Sequence, residues 1–167
     1  ENGDLKLRVF CNTPIGKITK YVTLSRLNEQ IKICYKMSEI RRSISSVRVG
    51  NFTLSPKFSR SFKSYSCKVG GPEKTDFQVN NVIEQSQAAT SFVSSSRGFT
   101  STDGELLLDC SGKNLSVSWD PSECSSLCFI DHKDGYTRLS FSISEVDESS
   151  RESDRYGDLE LRLSSVR

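Results

Sequence analysis

Residues 5–11, LKLRVFC, set Leu5, Leu7, Val9 and Cys11 on one side of an extended chain and Lys6, Arg8 and Phe10 on the other. Residues 31–37, IKICYKM, do the same, with Ile31, Ile33, Tyr35 and Met37 opposed to Lys32, Cys34 and Lys36. A period of two buries one face of a strand and wets the other, whereas an amphipathic helix repeats near 3.6. The alternation recurs at Leu115, Val117 and Trp119, at Leu139, Phe141 and Ile143, and at Leu159, Leu161 and Leu163. Between the runs lie Gly50-Asn51, Gly70-Gly71, Asp103-Gly104 and Asp134-Gly135, pairs that tolerate the positive φ of tight turns. About ten or more short strands with such punctuation read as all-β, an antiparallel β-sandwich or barrel-like domain with minor helix.

Composition agrees. Thirty of the 167 residues are Ser, a residue that competes for its own backbone inside helices and favours turns. Helical spacing occurs in two places, 36–46 through Met37, Ile40 and Ile44, and 80–90. The length suits a single β-rich domain over 1–167. Residues 145–158 hold eight charged side chains, with Val146 and Tyr156 the only large apolar ones, too little to offset ordering entropy, so a mobile loop is expected there. A shorter loop is expected at 94–102. The hexapeptides 4–9, DLKLRV, and 158–163, DLELRL, nearly repeat, although alternating patterns generate look-alikes readily.

Residues 114–123, NLSVSWDPSE, resemble the B-to-C strand passage of fibronectin type III and cytokine-receptor modules, with Trp119 at the buried aromatic position. GYTRLSF and GDLELRLSSV resemble the later strands of that fold. The resemblance covers at most the last third of the chain and implies a sandwich.

Charge is divided along the chain. Residues 1–74 carry fifteen Lys and Arg against five acids, net +10, and residues 75–167 carry eight against sixteen, net −8. Two arrangements satisfy such polarity: a basic surface that binds a polyanion, glycosaminoglycan or nucleic acid, or packing of one half against the other within or between molecules. Arg41, Arg42, Lys57, Arg60 and Lys63 are the candidate binding cations. Phe58, Phe62 and Tyr65, which interleave with them, are expected to point into the core.

Six cysteines, Cys11, Cys34, Cys67, Cys110, Cys124 and Cys128, form an even count that favours disulfides in an oxidising compartment. Six thiols allow 15 connectivities; Cys11 with Cys34, on neighbouring strands, and Cys67 with Cys110 are the expected pairs. Asn51 and Asn114 head glycosylation sequons, the first at an expected hairpin tip and the second entering a strand. Cys110, Cys124, Cys128 and His132 could in principle hold zinc, but the spacing lacks paired Cys-x-x-Cys and no metal is expected. No nucleophile elbow, phosphate loop or dinucleotide fingerprint occurs, and His132 is the only imidazole, so neither an enzyme nor a cofactor is expected. No run is long and apolar enough to span a membrane.

The function this supports is a non-catalytic binding domain, an extracellular or membrane-anchored ectodomain fragment of a cell-surface or viral glycoprotein that recognises another macromolecule or self-associates. The alternative is an intracellular β-domain with reduced cysteines that binds nucleic acid or assembles a complex through its basic N-terminal half.

Overall fold

The computed structural model describes residues 3–39, 47–68, 73–79, 82–84, 101, 103–124, 126–133, 135–143 and 158–166. Among them are twelve strands and one short helix: β1 (Leu5–Thr13), β2 (Gly16–Leu24), β3 (Gln30–Ser38), β4 (Val47–Leu54), α1 (Pro56–Arg60), β5 (Ser64–Lys68), β6 (Lys74–Gln78), β7 (Ile83–Glu84), β8 (Glu105–Asp109), β9 (Asn114–Ser118), β10 (Ser126–Lys133), β11 (Tyr136–Ile143) and β12 (Leu159–Val166). The chain is all-β and antiparallel. Eight strands form a larger sheet in the order β1-β2-β3-β12-β9-β8-β5-β6, and four form a smaller one, β4-β11-β10-β7. Neither sheet closes on itself, so the fold is two-layered and not a barrel.

The alternation does what period two dictates. On β3, Ile33 and Tyr35 are buried and Lys32 and Lys36 face out; on β12, Leu159, Leu161 and Leu163 are buried and Arg162 is exposed. The smaller sheet contributes Val49, Phe141, Leu139, Ile143, Cys128 and Ile130 to the same core. Trp119 sits where the resemblance implies, buried, with its ring edge-on to Phe141 at 5.2 Å. It follows β9 of the larger sheet and precedes β10 of the smaller, so this passage crosses between layers.

The layers differ in width. The larger sheet runs past the smaller one at the β1–β2 end, where the Lys20 ammonium lies over the rings of Tyr35 and Phe52 and marks the margin of the covered core. Beyond it, Leu5, Leu7 and Val9 of β1 are exposed. Seven of the ten large apolar side chains exposed among the described residues fall between residues 5 and 31, so the uncovered surface is concentrated on one edge.

Several expectations change. Residues 36–38 end β3, and Ile83–Glu84 is strand β7, so neither helical spacing yields a helix within the described residues; the remainder of 36–46 and of 80–90 lies outside them or is coil. Met37 instead continues the buried-side register of Ile33 and Tyr35. Gly50-Asn51 is not a turn. Gly50 has φ +65° inside β4, opposite a register shift between Leu139 and Phe141, so its freedom serves a β-bulge. Of the expected loop at 94–102 only Ser101 is described, and it is fully buried and bridged to Cys128. Of 145–158 only Asp158 is described. No helix among the described residues is long and apolar enough to cross a membrane.

Candidate functional site

The outer face of the larger sheet carries a charged cleft of about 890 Å³. Period two delivers its floor: β3 turns Lys32, Cys34 and Lys36 outward, and β12, antiparallel to it, sets Arg162 beside Lys32 and Glu160 beside Cys34. Tyr21 of β2 pairs with Cys34 on the other side. The wall comes from the end of β9 and the turn after it, through Ser118, Trp119, Asp120, Pro121 and Glu123.

Ion pairs order this floor. Lys32 Nζ lies 2.7 Å from Glu160 Oε2, Arg162 donates to Glu160 Oε1 through Nη2 at 2.9 Å and Nε at 3.1 Å, and Lys36 Nζ lies 2.7 Å from Asp158 Oδ2. Burial raises the Glu160 pKa, but the hydrogen bonds from Lys32 and Arg162 outweigh it and hold the carboxyl below its usual value. Asp120 is also held low, by the Ser122 hydroxyl donating at 2.6 Å and the Ser122 N–H at 2.9 Å. The hydrogen bond and charge of Asp158 raise Lys36. The Cys34 thiol goes the other way from a nucleophile: burial, and then Asp158, push it up, leaving it protonated at neutral pH.

These pairs also resolve much of the charge division. Lys32 and Lys36 from the basic half meet Glu160 and Asp158 from the acidic half, and Lys68 and Lys74 share Glu105, held low chiefly by the Lys74 hydrogen bond. The β3–β12 and β5–β8 ladders therefore interleave the halves within one sheet.

The expected binding cations are placed elsewhere. Lys57 and Arg60 lie in the last turn of α1, capped by Ser55 Oγ accepting from the Phe58 N–H at 3.3 Å, and Lys63 follows the helix. Among the described residues, none of the three is in an ion pair. Arg41 and Arg42 lie outside the described residues. Phe62 and Tyr65 are buried and Phe58 packs on the core, as expected of them. Asn51 lies within β4 and not at a hairpin tip; its Oδ1 accepts from Ser140 Oγ at 2.7 Å. Asn114 opens β9, with its Oδ1 buried.

No two of the six cysteines are bonded to each other in this structure, and both expected disulfides fail on register. Cys11 pairs with Ile18, which pairs with Met37, so β2 separates β1 from β3 and Cys11 and Cys34 point to opposite faces. Cys67 pairs with Leu106, four residues from Cys110 and about 13 Å along the strand, against the roughly 4.4–6.8 Å between Cα atoms that a disulfide needs. Among the described residues no group of three or more His, Cys, Asp or Glu is placed to hold a metal ion. His132 is buried, shares a 2.8 Å hydrogen bond between Nδ1 and Thr137 Oγ1, and stacks edge-on to Phe62 at 5.1 Å.

Sequence reasoning did not find the cleft, because its residues come from β2, β3, β9 and β12, four segments spread over more than a hundred positions. The one available signal was the outward register of Lys32, Lys36, Glu160 and Arg162 on strands of opposite charge.

No family model and no curated protein matches this chain. Among solved structures it is similar to the α-N-acetylgalactosaminidase NagBb from Bifidobacterium bifidum. The GalNAc complex gives a TM-score of 0.55 at 12% identity over 97% of this chain and 28% of that one. The quadruple mutant gives 0.54 at 10% over 97% and 27%, and the Gal-NHAc-DNJ complex gives 0.53 at 11% over 97% and 28%. The chain thus spans little more than a quarter of a glycosidase chain, and at this identity the likeness is one of fold.

Proposed function

We propose that this chain is a non-catalytic binding module of an ectodomain, and that the cleft over β2, β3, β12 and β9 takes a glycan presented by another macromolecule. The observation that carries this reading is the cleft floor, where Lys32, Glu160 and Arg162 offer ion-paired donors and acceptors of fixed orientation. Hydroxyl-rich ligands are bound through such pre-positioned polar groups at concave surfaces. The likeness to part of an enzyme solved with GalNAc favours that ligand class.

Catalysis is disfavoured by the chemistry of the same groups. Glycoside hydrolysis needs one carboxylic acid with a raised pKa beside a carboxylate. Glu160 and Asp120 are both held low, and Cys34 is held protonated. The test is a GalNAc-terminated oligosaccharide presented to wild type and to Glu160→Gln, with binding and hydrolysis both measured. Binding that weakens roughly tenfold in the variant, without product from either protein, is expected; hydrolysis by wild type that Glu160→Gln abolishes overturns the reading.

A second reading rests on α1. Lys57 and Arg60 in α1 and Lys63 just after it have no ion-pair partner among the described residues, a set of cations suited to a polyanion, and its binding would fall steeply with salt. Retention on heparin at low salt, lost when all three become Ser, supports it; no retention removes it.

A further inference from the structure

Four of the six cysteines, Cys67, Cys110, Cys124 and Cys128, are buried, and two of these lie in opposite layers at the same point of the core. Cys67 is on β5 of the larger sheet and Cys128 on β10 of the smaller, both at 1% exposure or less. Ser101 spans the gap between their strands. Its carbonyl accepts the Cys128 N–H at 3.0 Å, and its hydroxyl reaches Lys68 O, one residue from Cys67, at 3.2 Å and Glu105 O at 2.9 Å. A single buried serine thus connects the Cys128 backbone to the residue beside Cys67. The thiols are near enough that ionised Cys67 raises the pKa of Cys128, after burial the second cause of its shift.

The other cysteines are not so placed. Cys11 is exposed on the edge strand, Cys34 lies on the outer face, and Cys110 lies beyond the end of β8, four residues from Leu106, the partner of Cys67. Asp158 is the charged neighbour that, after burial, raises the pKa of both Cys124 and Cys34.

We propose that Cys67 and Cys128 are the disulfide-forming pair of this chain, a covalent strap between the two sheets that forms as the chain folds in an oxidising compartment. Each thiol gives up one proton, and the two electrons pass by thiol–disulfide exchange to a disulfide oxidant, such as oxidised glutathione, which leaves as two thiols while the Cys67–Cys128 bond forms. Burial holds both thiols protonated, Cys67 at a pKa of about 11, and so keeps the folded dithiol slow to react. Oxidation therefore belongs to folding. The bond would close a loop of about 60 residues that includes β6, β7, β8 and β9. The inference is independent of what the cleft binds.

The chain is refolded in a buffer of oxidised and reduced glutathione, alkylated in denaturant, digested without reduction and read by mass spectrometry, with circular dichroism reporting the sheet in both redox forms. A single linkage joining the Cys67 and Cys128 peptides, alkylation of the other four cysteines, and a Tm roughly 10 °C above the reduced form are expected. The Cys110→Ser/Cys124→Ser variant should keep the linkage and the Tm increment, and the Cys67→Ser/Cys128→Ser variant should lose both. Six alkylated cysteines in a chain that shows a sheet spectrum, or a linkage of Cys67 to any other cysteine, overturns the proposal.

Discussion

Residues 4–9 and 158–163 differ at only two of six positions, and both enter strands of the larger sheet, yet they live in different surroundings. Leu5, Leu7 and Val9 of β1 are 66, 57 and 49% exposed, whereas their counterparts Leu159, Leu161 and Leu163 are 0, 0 and 8% exposed. β1 is an edge strand beyond the reach of the smaller sheet. β12 is central, hydrogen-bonded to β3 on one side and β9 on the other, with its apolar side chains in the interlayer core. The outer faces diverge through one substitution: Lys6 stands where β12 has Glu160, and it is Glu160 that binds Lys32 and Arg162 and builds the cleft. Alternation specifies a strand and its apolar side, but whether a second layer covers that side depends on distant chain.

The largest effect expected is on stability. Leu161→Ala removes a fully buried side chain and should cost about 2–5 kcal/mol, whereas Leu7→Ala at the matching position of β1 should change stability by no more than about 0.5 kcal/mol. Urea denaturation of both variants checks this, and equal losses would mean that the β1 face is covered in solution.

A backbone version of the same contrast sits around β8 and β9. Gly104, φ +78°, has the Trp119 carbonyl and Pro121 where a Cβ would go, while Gly112, φ +88°, has open space. Both Ala substitutions incur the positive-φ strain of roughly 1 kcal/mol, but Gly104→Ala must also move the wall of the cleft and should cost at least about 1 kcal/mol more. A comparison of melting curves for the two variants reads the difference.

The smallest effect is electrostatic. Glu160 and Glu105 are held below their ordinary value of 4.5, so the stability their pairs contribute is complete above that pH and is lost as pH falls through the lower folded values. Both carboxylates are about one-third exposed, which limits each pair to about 1 kcal/mol or less. The urea midpoint of Lys32→Ala should accordingly lie below wild type at pH 6 and converge with it near pH 3. Lys6→Ala, which removes no ion pair among the described residues, should follow wild type throughout.

The runs at residues 5–11, 31–37, 139–143 and 159–163 were legible as strands because every second side chain along them is apolar, and the placement of Trp119 followed from the flanking residues. Met37 misled, since its helical spacing with Ile40 and Ile44 competes with the period-two register that it shares with Tyr35 on β3. Gly50-Asn51 reads as a turn for a sound reason, a residue that accepts positive φ, but a bulge requires the same conformation. The cleft was not legible at all. It depends on strand order, and nothing local in the sequence inserts β12 between β3 and β9.

The functional claim rests on the outer face of β12 and not that of β1. Titration of the isotope-labelled chain with a GalNAc-terminated oligosaccharide, followed by amide NMR, tests this directly. The account predicts shifts that saturate at Lys32, Cys34, Trp119, Glu160 and Arg162 and leave Lys6 and Arg8 unmoved. Saturating shifts at Lys6 and Arg8 instead, or none anywhere at millimolar ligand, would contradict it.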